Sequence, residues 1–143
     1  MKRILVATDG SAGADRSLDV ASRIAGCFGA ELIIVTVEQG YLQGDLEEFR
    51  KSEDATPDEV LNGAALEILK QAKERAHSNG VSRVRTYSSL GDAVAFILEV
   101  AEREKADTIV VGKRGRGRLL GLLIGSVSQK LISLARCNVL VVP

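Results

Sequence analysis

Five short runs rich in β-branched residues recur along the chain, and the stretches between them repeat apolar residues at helical spacing. The runs are RILVAT (3–8), ELIIVTV (31–37), RVRTYS (83–88), TIVV (108–111) and NVLVV (138–142). Three of them are almost continuously apolar, which suits strands covered on both faces of a parallel sheet. Leu18, Ala21, Ala25 and Phe28 mark a helix over 14–28, with Ser11 as N-cap and Gly29 as the stop. Val60, Leu61, Ala64, Ala65, Ile68, Leu69 and Ala72 mark a second over 57–78, with Pro57 in its first turn and Gly80 just past its end. Val94, Ile97, Leu98 and Ala101 predict a third over 92–105, and Val127, Leu131 and Leu134 a fourth over 126–134. Strict alternation of this kind requires right-handed crossovers, hence an α/β fold with a parallel sheet and helices on both faces.

The chain's 143 residues suit one domain, 1–143, with a core of its own. Nineteen basic residues balance nineteen acidic ones, which disfavours binding nucleic acid through bulk charge. Aromatic residues make up only 3%, too few for base-stacking platforms. The opening apolar run is too short for a signal-peptide core, and no stretch approaches the ~18 apolar residues of a membrane span. Cys27 and Cys137 lie far apart without a CxxC motif, which argues against zinc and against a disulfide framework. These features predict a reduced, cytoplasmic protein with no membrane insertion. Both cysteines are expected to pack as small hydrophobes. His77, the only histidine, is expected at the surface near a helix end, so a Ser/His/Asp arrangement has no evident base.

Two segments exceed a compact connection. Segment 38–56 holds six acidic residues against two basic ones and is read as a solvated loop or a partner-docking segment. The second runs from Gly112 to Ile124 and carries the functional argument. TIVV leads into Gly112-Lys113-Arg114-Gly115-Arg116-Gly117-Arg118, and Gly125-Ser126-Val127-Ser128-Gln129 opens the last helix. Glycines admit close backbone approach to a ligand. A helix N-terminus offers unpaired N–H groups and the positive end of a dipole. Hydroxyls and four cations complete a combination suited to a polyphosphate. The competing reading of Ser126 is structural, because Ser126 and Gln129 satisfy the S-x-x-Q capping box. No Walker A motif is present, and Asp9-Gly10-Ser11-Ala12-Gly13 lacks G-x-G-x-x-G, so P-loop and dinucleotide sites are disfavoured. Asp9, ending the first strand, suits ribose hydroxyls or a divalent ion; equally, Asp9 and Ser11 suit capping of the first helix.

These residues carry a family resemblance over essentially the whole chain. Ile4-Leu5-Val6-Ala7-Thr8-Asp9-Gly10-Ser11 resembles the first strand and turn of universal stress proteins, and Asn138-Val139-Leu140-Val141-Val142-Pro143 resembles their last strand. Gly112-x2-Gly115-x9-Gly125-Ser126 matches the G-x2-G-x9-G-[ST] signature of that family's ATP-binding branch. The resemblance implies a five-stranded parallel sheet of order 3-2-1-4-5, Rossmann-like, with ATP and Mg2+ or Mn2+ bound at its switch point. It implies that Ala7, Thr8 and Asp9 line the ribose, and that Val37 meets adenine through its backbone. Gly112 and Gly115 would approach ribose and phosphates, while Gly125, Ser126, Val127 and Ser128 donate to phosphates. Arg114 or Arg116 is expected to fold over the phosphates, although the fixed pattern includes neither. The implied assembly is a homodimer through strand 138–142. The expected role is a nucleotide-dependent stress-response module with an unidentified protein partner and at most slow hydrolysis. AMP or a cyclic nucleotide as ligand, and a genuine low-turnover ATPase, are the alternatives.

Overall fold

Strand β1 (Arg3–Ala7) lies at the middle of the sheet, paired in parallel with β2 (Glu31–Glu38) on one side and β4 (Thr108–Gly112) on the other. The computed structural model describes residues 1–38, 57–113 and 124–143, with side chains from residue 63 onward in the helix that opens at Pro57. Strand β3 (Val84–Leu90) adds to β2 and β5 (Asn138–Val142) adds to β4, giving the order β3-β2-β1-β4-β5 with every pair parallel. Four helices make the crossovers: α1 (Ala12–Phe28), α2 (Pro57–Ser78), α3 (Ala93–Arg103) and α4 (Ser126–Leu134).

The apolar strands are covered on both faces, as their composition demands. Even-numbered residues Ile4, Val6, Leu32, Ile34 and Val110 pack with Leu18, Ala21 and Ala25 of α1 and Leu69, Ala72 and Ala76 of α2. Odd-numbered Leu5, Ile33, Val35, Ile109 and Val111 pack with Val94, Ile97, Val100 and Ala101 of α3 and Leu131 of α4. The period of two along a strand therefore divides one apolar run between two cores.

The ends of the elements depart from expectation in instructive places. Ser11 does cap α1, accepting from Ala14 N at 3.2 Å, but the helix starts at Ala12 rather than 14. Gly29 ends α1 in the left-handed region at φ 62°, and Ala30 N then bonds back to Ala25 O at 2.8 Å. That return turn puts Ala30 in the core and leaves Phe28 59% exposed, so Phe28 does not continue the buried stripe. Cys27 is exposed as well, contrary to expectation, because it follows buried Ala25 by two residues on the helix. Two residues turn a helix by about 200°, to the opposite side. Cys137 does pack against the second core, and burial pushes its thiol up. The β3 strand runs from Val84 through Leu90 rather than over 83–88. Asp92 is the N-cap of α3, not its first residue, and the helix ends at Arg103, short of 105. On α2 Ala64 is exposed, and on α4 Leu134 is 60% exposed. His77 is exposed near the end of α2, as expected, with Nδ1 2.8 Å from Val81 O. No helix among the described residues is long and apolar enough to cross a membrane.

Candidate functional site

The sheet order reverses between β1 and β4: the crossover from β1 leads to one side, and β4 and β5 lie on the other. Ligands of open α/β sheets sit outside the carboxyl ends of the strands at such a point. A cleft of about 410 Å³ lies there. Ala7, Thr8 and Asp9 reach it from the end of β1, Val37 from β2, Gly112 from β4, and Gly125, Ser126, Val127 and Ser128 from the start of α4. Nine of the residues expected from sequence therefore share one cleft. The others, Arg114, Gly115 and Arg116, fall in 114–123, outside the described residues, as does 39–56 of the acidic segment.

Of the four helices that begin at this end of the sheet, α1, α3 and α4 have described N-caps, and these differ in how the first N–H groups are treated. Ser11 caps α1 with its side chain, and Asp92 caps α3, accepting from Val94 N at 2.9 Å and Ala95 N at 3.4 Å. Helix α4 has Gly125 as N-cap and no side-chain cap bond. The competing capping-box reading of Ser126 fails, because Ser126 stands one position inside the helix. Gln129 N bonds Gly125 O at 3.0 Å, so the N–H groups of Ser126, Val127 and Ser128 precede the first helical bond. They face the cleft with the positive end of the α4 dipole.

The hydroxyl of Ser128 has a different task from the one expected. It is 4% exposed and donates to Gly112 O at 2.7 Å, so its proton is committed to the β4 end. On β1, Thr8 Oγ1 accepts from Gly10 N at 3.2 Å and Asp9 Oδ1 accepts from Ser11 N at 2.9 Å. Of the two residues offered as caps of α1, Ser11 is the cap, whereas Asp9 bonds Ser11 N in a local turn ahead of the helix. That turn does not prevent Asp9 from facing the cleft, which it lines.

Val37 owes its place to strand length. Val35 O accepts from Thr8 N at 2.9 Å, so odd-numbered β2 residues direct their backbone groups toward β1. The register ends at Ala7↔Val35. Two residues on, the N–H and C=O of Val37 point past the end of β1 into the cleft, a donor beside an acceptor.

Thr36, Glu38, Ala93 and Ile97 also line the cleft and were not anticipated. Thr36 is the notable one: its Oγ1 is buried with no hydrogen-bond partner among the described residues. The lone hydroxyl inside ELIIVTV was the available signal. Among the described residues no group of three or more His, Cys, Asp or Glu is placed to hold a metal ion.

An open parallel sheet with a switch-point cleft and an uncapped helix N-terminus defines the Rossmann-like class of ligand-binding α/β proteins. The chain belongs to the universal stress protein family, whose description it matches over residues 1–143. It is 38% identical over 145 residues to a universal stress protein of Mycobacterium tuberculosis strain H37Rv, covering 99% of this chain and 95% of that one. It is 35% identical over 149 residues to one from Thermus aquaticus, covering 99% and 98%. Among solved structures, a universal stress protein in complex with cAMP superposes with a TM-score of 0.77 at 29% identity, over 99% of this chain and 97% of that one.

Proposed function

We propose that this protein is an adenine-nucleotide-binding module of the universal stress response, with ATP as its ligand in the manner of the family's ATP-binding branch. The observation that carries the reading is the cleft in which the open backbone of Val37 and the uncapped start of α4 share one crevice. Adenine offers the N6 donor beside an acceptor, which suits the paired groups of Val37. The N–H groups of Ser126, Val127 and Ser128 suit phosphate oxygens. Asp9 serves the ribose hydroxyls, Ala7 and Thr8 line the sugar, and Gly112 and Gly115 allow close approach. Arg114 adds charge over the phosphates. Mg2+ or Mn2+ suits a site of this kind, because such ions are held mainly by phosphates and water with one or two carboxylates. Asp9 and Glu38 are the carboxylates lining the cleft.

Hydrolysis is at most slow in this reading, since no histidine reaches the described lining to act as base. The protein works as a cytoplasmic homodimer, pairing β5 with its twofold mate. Exposed Leu140 on that edge strand supports the pairing, because an open apolar edge invites another strand. A partner protein reads the bound state.

A second reading, a cyclic-nucleotide or AMP sensor, draws on the related structure in complex with cAMP. Calorimetric titration of nucleotide-stripped protein with ATP and Mg2+, AMP and cAMP separates the two. Saturation near one ATP per chain, tighter than cAMP, supports the first reading. The reverse order supports the second, and no binding to any of the three overturns both.

A further inference from the structure

We infer that Ser128 is a positioning residue which keeps backbone carbonyls out of the anion site, and so acts on the charged part of the ligand rather than on its base. The inference rests on the reading that phosphate occupies the start of α4. Strand β4 leaves the sheet through two consecutive peptides whose carbonyls lie beside that position. Both are tied down: Gly112 O accepts from Ser128 Oγ at 2.7 Å, and Lys113 O accepts from Gly125 N at 2.8 Å. Lys113 N donates to Val142 O at 2.7 Å, which fixes the same peptide from the other side.

A helical serine ordinarily bonds locally, by capping the N-terminus or by donating to a carbonyl four residues back. Ser133 does the latter, donating to Gln129 O at 3.1 Å. Ser128 instead spans sixteen residues to the end of β4. It is almost fully buried, so water does not replace it. Without that bond the Gly112 carbonyl is unpaired in a cleft wall, and a free carbonyl oxygen repels a phosphate. The bond thereby makes the β4–α4 junction a surface of donors. Nucleoside binding, which depends on Val37 and the end of β1, does not use this feature.

The test is a titration of nucleotide-stripped protein with ATP, AMP and adenosine, each with Mg2+, in wild type and in Ser128→Ala, Ser128→Thr and Ser128→Val. The Thr and Val variants have equal volume and differ by the hydroxyl, so they carry the comparison if the alanine variant does not melt cooperatively. The expected result is an affinity for ATP about tenfold weaker in the Ala and Val variants. Adenosine should change by less than about twofold, and Thr should restore ATP binding. Equal losses for ATP and adenosine, or no loss for either, overturn the positioning role while leaving the site intact. Wild-type protein that binds none of the three ligands overturns the site itself.

Discussion

The two ends of the sheet are built by opposite rules. At the amino end, charge and backbone groups are paired off. Asp107 Oδ2 accepts from Lys2 N at 2.6 Å and Arg3 N at 2.8 Å, and these two bonds hold its carboxyl below the usual range. Arg3 reaches Glu104 O at 2.7 Å and Glu31 at 3.4 Å, and Arg83 donates to Gly29 O, closing the end of α1. At the carboxyl end, by contrast, β1, β2 and β4 stop in Ala7, Glu38 and Gly112, α4 has no side-chain cap bond, and Thr36 Oγ1 has no partner among the described residues. The amino end also has a groove, of about 720 Å³, so a hollow by itself does not mark the candidate site. What distinguishes the candidate site is hydrogen-bonding capacity left open, since burying such capacity without a partner costs stability.

This contrast is broken most sharply by giving α4 the cap it lacks. Gly125 already has the extended backbone of a capping residue, at φ −66° and ψ 160°. Gly125→Asp should add about 0.3 kcal/mol of stability by bonding the first N–H groups. It should also weaken ATP by about a hundredfold or more, through competition and repulsion. Denaturation and titration on one sample would show the two effects with opposite signs; a variant that binds ATP normally would remove the helix start from the site.

The amino end should behave in the reverse manner. Asp107→Ala leaves two backbone donors without their acceptor and should cost about 1–2 kcal/mol in urea denaturation, with ligand affinity unchanged. A smaller effect is expected where α2 is clamped to α1. Arg75 grips Asp19 through two bonds of 2.7 and 2.8 Å, and Asn79 adds a third at 2.9 Å. The Arg75 bond, foremost, takes the Asp19 carboxyl down to about 2 from its ordinary 3.8. A lowered carboxylate stabilises the fold above its ordinary value and loses that contribution as pH falls through the lowered one. Asp19→Asn should cost about 1 kcal/mol at neutral pH, the clamp being partly exposed. It should also flatten the stability profile between pH 3.8 and about 2, which thermal melts across that window would read. Least of all, Cys27→Ser should stay within about 0.5 kcal/mol of wild type, because the thiol faces solvent.

The same two ends differ in how far the sequence announces them. Strands and helices were legible because β-branched runs and apolar stripes have different periods, and the glycine pattern located the β4–α4 junction. The strand order came from family resemblance, since periodicity does not say which strands are neighbours. Ser126 admitted two readings because a serine just inside a helix and a serine capping it look alike in sequence, and Gln129 completed the box by coincidence of spacing; Gly125 is the N-cap. The Ser128–Gly112 bond was illegible, since its partners meet only once the sheet forms. Thr36 was marked only as the lone hydroxyl of an apolar run, which does not say whether it finds a partner. The exposure of Phe28 and Cys27 depended on where α1 turns back, which the stripe does not record.

The central pairing has a consequence for how the chain is made. Ile4 sits opposite Thr108, and no strand pairing in the sheet is a local hairpin. At about 5–20 residues per second of synthesis, β1 leaves the ribosome on the order of 5–20 seconds before its β4 partner exists. For that interval an apolar strand destined for the middle of the molecule lacks one of its two neighbours and is sheltered first by β2 and α1, and later by α2 and α3. Its early fate is thus set by how fast the first β-α-β unit closes.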